Sequence, residues 1–216
     1  EYQNANVQRS LDNGNSFQDA NSGTSFTEGK PWVGIIERDP GNADTLYLGT
    51  SKVYRTTDFH NTVWKSIHTG SGGSYVGGIA VSPVDRNVVW VGYENGTFVR
   101  STNALATTPT WSDVRGTLPA RSRRRVVPHP TSATGAWIVM GGFGNPKIMF
   151  TANAGASYQD LTGDLPDVPV NDLVVDPGDL NVLIAATDLG IYRSLDNGAH
   201  WSGFSDALPT AAVIEL

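Results

Sequence analysis

The sequence predicts an all-β protein built from repeated four-stranded antiparallel blades, and three observations predict it. A short polar box recurs five times at nearly constant spacing. Runs rich in β-branched and aromatic residues, punctuated by Gly, Pro, Asn and Asp, fill the intervals between boxes. No segment carries a persuasive helical period.

The boxes run from Arg9 to Phe17, Arg55 to Trp64, Arg100 to Trp111, Phe150 to Tyr158 and Arg193 to Trp201, so their first residues lie 46, 45, 50 and 43 positions apart. A period near 45 is the length of one propeller blade. The spacing therefore predicts a β-propeller with four complete blades over residues 31–67, 74–115, 123–161 and 170–204. In each, a first strand ends in a Pro turn: Ile35 to Pro40, Ile79 to Pro83, Val126 to Pro130 and Leu173 to Pro177. The second strand is Thr45–Gly49, Val88–Gly92, Ala136–Met140 or Val182–Ala186. The third leads into the box and the fourth follows its aromatic.

Partial blades flank these four. Residues 1–20 supply a third and a fourth strand, and 211–216 begin a first strand, because Leu165 to Leu173 recurs in outline as Leu208 to Leu216. Two arrangements remain open. Val213–Leu216 joins residues 1–20 in a composite fifth blade, or the chain is part of a larger ring of about six to eight blades.

In each box the Asp or Asn (Asp12, Asp58, Asn103, Asn153, Asp196) is placed to accept backbone N–H groups in a tight turn, with Gly14 and Gly198 supplying positive φ. Burying the closing aromatic contributes about 4–6 kcal/mol as an upper bound. These are structural roles, and no box residue is needed for catalysis.

The pattern Ser/Thr-x-Asp-x-Gly-x-x-Trp, carried best by Ser10, Asp12 and Gly14 and by Ser194, Asp196, Gly198 and Trp201, resembles the Asp-box (BNR) repeat family. The second box has one extra residue, and the third and fourth replace Asp with Asn. Sialidases, family 74 xyloglucanases, sortilin-type receptors and a photosystem II assembly factor look like this, so the resemblance implies a fold and leaves the activity open.

Composition narrows the classes. A net charge of −6 argues against general nucleic-acid binding, and no apolar run approaches a membrane span. Cysteine is absent, and the four His residues show no metal spacing. No cofactor or metal is expected.

A ligand face is expected where fourth strands cross to the next first strand, over residues 21–34, 68–78, 115–125, 162–172 and 205–214. Arg115, Arg121, Arg123, Arg124 and Arg125 concentrate there five of the 15 basic residues. Unit charges 6 Å apart in water repel by about 0.7 kcal/mol, so something compensates them. Either carboxylates such as Asp113, Asp164, Asp167 or Asp172, or solvation of a surface loop, do so, or an anionic ligand or acidic partner does. Arg121, Arg123, Arg124 and Arg125 are the candidate binding residues, with Trp32 and Tyr75 beside them.

A sialidase needs Arg converging from different blades and lacks support here. A xyloglucanase-like hydrolase needs two carboxylates across a cleft, for which Asp172 and Glu94 are candidates by position alone. The sequence points first to a non-catalytic recognition or scaffold module of a secreted or surface protein. Its expected partner is an anionic glycan, an acidic protein segment, or the rest of a larger propeller. A glycoside hydrolase fragment is the alternative.

Overall fold

A computed structural model describes residues 5–25, 31–144, 146–204 and 211–216. Expectations for residues 1–4, 26–30 and 205–210 lie outside the described residues. Four sheets of four antiparallel strands follow one another in chain order. Blade 1 comprises β3 (Ile35–Arg38), β4 (Leu46–Gly49), β5 (Lys52–Thr56) and β6 (Lys65–Thr69). Blade 2 comprises β7 (Val76–Val81), β8 (Val89–Tyr93), β9 (Phe98–Ser101) and β10 (Ser112–Asp113). Blade 3 comprises β11 (Arg123–Pro128), β12 (Ala136–Met140), β13 (Ile148–Thr151) and β14 (Gln159–Asp160). Blade 4 comprises β15 (Val170–Val175), β16 (Leu183–Thr187), β17 (Gly190–Ser194) and β18 (Ser202–Gly203). A half-blade of β1 (Gln8–Arg9) and β2 (Gln18–Asp19) precedes them. The inner strands β3, β7, β11 and β15 surround a common channel, and the fold is a β-propeller.

The box turns explain why the outer hairpins form. Asp12, Asp58, Asn103, Asn153 and Asp196 each accept a backbone N–H through Oδ1, from Ser16, Asn61, Thr110, Ser157 and His200 at 2.8–2.9 Å. The hydroxyl two residues earlier donates back to the Oδ1 of Asp12, Asn103, Asn153 and Asp196. A side chain thus replaces the ladder where the chain reverses. Asn13, Ala154 and Asn197 take positive φ, each followed by a glycine that does too.

The core lies between blades. One cluster joins Tyr47, Val53 and Ile67 of blade 1 to Ile79, Val91 and Tyr93 of blade 2. Others join blade 2 to blade 3 and blade 3 to blade 4. Val7 and Ala20 of the half-blade pack against Leu48, Tyr54 and Trp64 of blade 1. Each sheet alone would leave both faces wet, so stacking is what buries the apolar residues.

Beyond blade 4, the Val213 N–H donates to the Thr187 carbonyl at 2.9 Å, as that of Val76 does to the Thr50 carbonyl at 2.8 Å. Val213 therefore stands to blade 4 as the start of β7 stands to blade 1. Among the described residues, no backbone hydrogen bond joins Val213–Leu216 to residues 5–20.

Candidate functional site

Backbone registers locate the site. In β7 the pairing with β8 skips Gly77, in β11 the pairing with β12 skips Arg124, and in β15 the pairing with β16 skips Asn171. These are equivalent positions in three blades, each a β-bulge at the leading end of an inner strand. A bulge turns a side chain out of the ladder, and that of Arg124 lies along Gly141 at the rim of the channel. Gly34 before β3 and Ile214 beyond blade 4 take the corresponding places. All five border a cavity of about 360 Å³ at the channel mouth, on the face where fourth strands cross to first strands.

The Arg cluster divides at this bulge. Arg123 sits in the register that Val76 and Val170 fill in the neighbouring blades, a column buried in all three. It is fully buried and gives its guanidinium to the carbonyls of Arg121, Gly96 and Pro119 at 2.7, 3.0 and 2.8 Å. Burial pushes its pKa down to about 10. Blade 2 makes room through missing side chains: a Cβ at Gly77 would stand 1.9 Å from the Arg123 carbonyl oxygen, and one at Gly92 2.4 Å from the Arg123 Cβ. Arg121 donates to the carbonyls of Gly141, Phe143, Gly144 and Pro146 and so holds the loop between β12 and β13.

Arg125 pairs with Asp172 of the next blade, Nε to Oδ1 at 3.1 Å. That carboxylate is buried and also accepts the N–H groups of Leu173 and Leu216. The other carboxylates near the cluster are engaged elsewhere: Asp167 with Lys147, Asp164 with the Trp201 N–H and Asp113 with the Arg115 N–H. Arg124 is exposed, and its guanidinium has no hydrogen bond or ion pair among the described residues. Of the four candidate binding residues, it is therefore the one free to meet a ligand at the mouth.

Trp32 is 64% exposed just before the channel-lining Val33, and Tyr75 is half-buried beside the blade 2 bulge. Glu94 lies exposed on the loop between β8 and β9. Sequence reasoning did not single out Glu37 on β3. Burial raises its pKa to about 7, and the positive charge of Arg125 opposes that rise. No local pattern in the sequence marks it. Among the described residues no group of three His, Asp or Glu could hold a metal, and no helix is long and apolar enough to cross a membrane.

No family model matches the chain, and no curated protein matches it by sequence. Solved structures do. An ancestral GH74 enzyme aligns with a TM-score of 0.69 and 21% identity, over 88% of this chain and 25% of that one. The extracellular domain of a putative hybrid two-component system from B. thetaiotaomicron aligns at 0.62 and 16%, over 98% and 29%. YCF48 bound to D1 peptide aligns at 0.60 and 18%, over 94% and 63%. The chain thus spans about a quarter of the first two structures and under two thirds of the third. These likenesses show the propeller fold, shared by an enzyme and by propellers of other kinds.

Proposed function

We propose that this chain is a non-catalytic recognition module of the Asp-box type, from a secreted or surface protein, which binds an anionic group at the bulged mouth of its channel. The observation that carries this reading is Arg124, exposed at the border of the cavity while Arg121, Arg123 and Arg125 are engaged within the fold. The five box turns, each closed by an Asp or Asn on a backbone N–H, support the Asp-box assignment. An extracellular propeller domain among the similar structures supports the location. A carboxylate or sulfate of an acidic peptide or glycan suits a guanidinium fork, with Trp32 and Tyr75 as flanking surface. Heparin oligosaccharides and a poly-glutamate peptide, titrated by calorimetry at two salt concentrations, test it. Binding should weaken with salt and vanish in Arg124→Glu at unchanged melting temperature. Binding by neither probe, or equal binding by Arg124→Glu, refutes it.

Glu37 favours a second reading, glycoside hydrolysis. A carboxyl that keeps its proton to about pH 7 has the state of a general acid. Hydrolysis of xyloglucan, abolished in Glu37→Gln, would establish that reading over the first.

A further inference from the structure

The loops that join the second strand of a blade to its third differ in length. Two residues (50–51) join β4 to β5, four (94–97) join β8 to β9 and two (188–189) join β16 to β17, whereas seven (141–147) join β12 to β13. In a repeat fold an insertion into one repeat emerges on one face, often the face that binds. This insertion emerges beside the channel mouth. Arg124 on the cavity border lies along it, since a Cβ at Gly141 would stand 2.9 Å from the Arg124 Nε.

Three charged side chains hold the long loop in one shape. Arg121 donates to its carbonyls at Gly141, Phe143, Gly144 and Pro146. Asp167 accepts both the Gly144 N–H and the Lys147 ammonium at 2.6 Å, and Lys147 is fully buried. Gly142 and Gly144 take positive φ on either side of Phe143. Yet the Phe143 side chain is 68% exposed. These bonds fix an apolar ring in water. The loop has lost its conformational entropy on folding, so a partner that covers the ring need not order it. Blade 3 packs on blade 2 at one side and on blade 4 at the other, so the exposed ring stands on a blade with both neighbours in place.

We infer that this loop and Arg124 form one docking surface for a protein segment in which a single Asp or Glu stands close to a large apolar residue. The carboxylate meets Arg124, and the apolar side chain covers Phe143. The inference rests on the reading of Arg124 as an anion-binding residue and names its partner. A sulfated glycan fits less well. Its many charges need several cations, whereas the other charged groups bordering the cavity are Arg125, paired with Asp172, and the carboxylates of Asp172 and Glu215. Its hydroxyls need polar partners, which neither Phe143 nor the aliphatic wall of Ile35, Ile79 and Ile214 provides.

Short acetylated, amidated peptides test the inference, each with one central Asp and with Leu, Phe or Ser placed at successive positions beside it. Binding to the intact chain is read by fluorescence anisotropy. Wild type should prefer Leu or Phe to Ser near the Asp. Phe143→Ser should weaken the Leu and Phe peptides at least about tenfold and erase that preference, at unchanged melting temperature because the ring is exposed. Phe143→Trp should keep the preference, and Arg124→Glu should abolish binding of every peptide. A wild type indifferent to Leu, Phe or Ser overturns the inference, as does a preference that survives in Phe143→Ser. Silence of every peptide overturns it too. Heparin bound through Arg124 without any dependence on Phe143 would sink this inference and leave the anion-binding reading standing, whereas binding of neither peptides nor heparin would sink both.

Discussion

Trp111 Nε1 donates to the Ile67 carbonyl at 2.9 Å, tying the box of blade 2 to the outer strand of blade 1. Trp64 and Ala20 repeat the contact at 2.7 Å, with the Trp64 ring 2% exposed. The indole is both packing and bolt at the blade junction. Trp64→Ala should therefore cost about 3–5 kcal/mol, whereas Trp64→Phe, which keeps most of the ring packing and loses the N–H, should cost nearer 1–2. Urea unfolding measures both, and a Trp64→Phe chain as stable as wild type would mean that the hydrogen bond contributes nothing.

Gly77 permits the closest approach of blades 2 and 3. Its missing Cβ would meet main chain, the Arg123 carbonyl oxygen at 1.9 Å, which cannot swing aside as a side-chain tip does. Gly77→Ala should destabilise by about 2–3 kcal/mol or more. Gly72, whose Cβ would meet nothing, is the control for close approach, although its positive φ carries a backbone cost of its own. A Gly77→Ala chain as stable as wild type would contradict the tight junction.

Asp172 is the buried partner of Arg125, with side-chain exposures of 4% and 39%. Arg125→Met leaves a buried carboxylate held only by the Leu173 and Leu216 N–H groups, at a cost of about 2–4 kcal/mol. Adding Asp172→Asn removes the stranded charge and should recover part of the loss. A double variant no more stable than the single one would show that the charge is not what destabilises it.

Glu37 makes stability depend on pH. Unfolded, it loses its proton near 4.5; folded, it keeps it to about 7. Between these values the native state holds the extra proton, so this contribution is complete below 4.5 and is lost as pH rises through 7. The loss is about 3 kcal/mol. His200, raised by its bond to Asp196, acts in the same direction. The carboxylates of Asp12 and Asp196, lowered to about 2, lose their contribution only as pH falls from 3.8 toward 2. Urea midpoints at pH 5 and pH 8 should therefore differ less in Glu37→Gln than in wild type. An identical difference would place Glu37 in water.

The repeat and, through it, the propeller are legible in the amino-acid sequence alone. Strand alternation, Pro turns and an Asp or Asn bonded to its own turn are local chemistry, legible within ten residues, and five copies make the period unmistakable. The sequence also marks the face on which the Arg cluster lies. Which of Arg121, Arg123, Arg124 and Arg125 stays free depends on packing between blades. Arg123 is buried by Gly77 and Gly92, and Arg125 meets Asp172 across a blade junction. Arg124 owes its exposure to a one-residue slip in the pairing of β11 with β12. The apolar Val76 and Val170 in the Arg123 column were the one sequence signal of that burial. The partners themselves come from packing: Gly96 lies 27 positions before Arg123, and spacing along a strand carries no information about a carbonyl brought there by another blade.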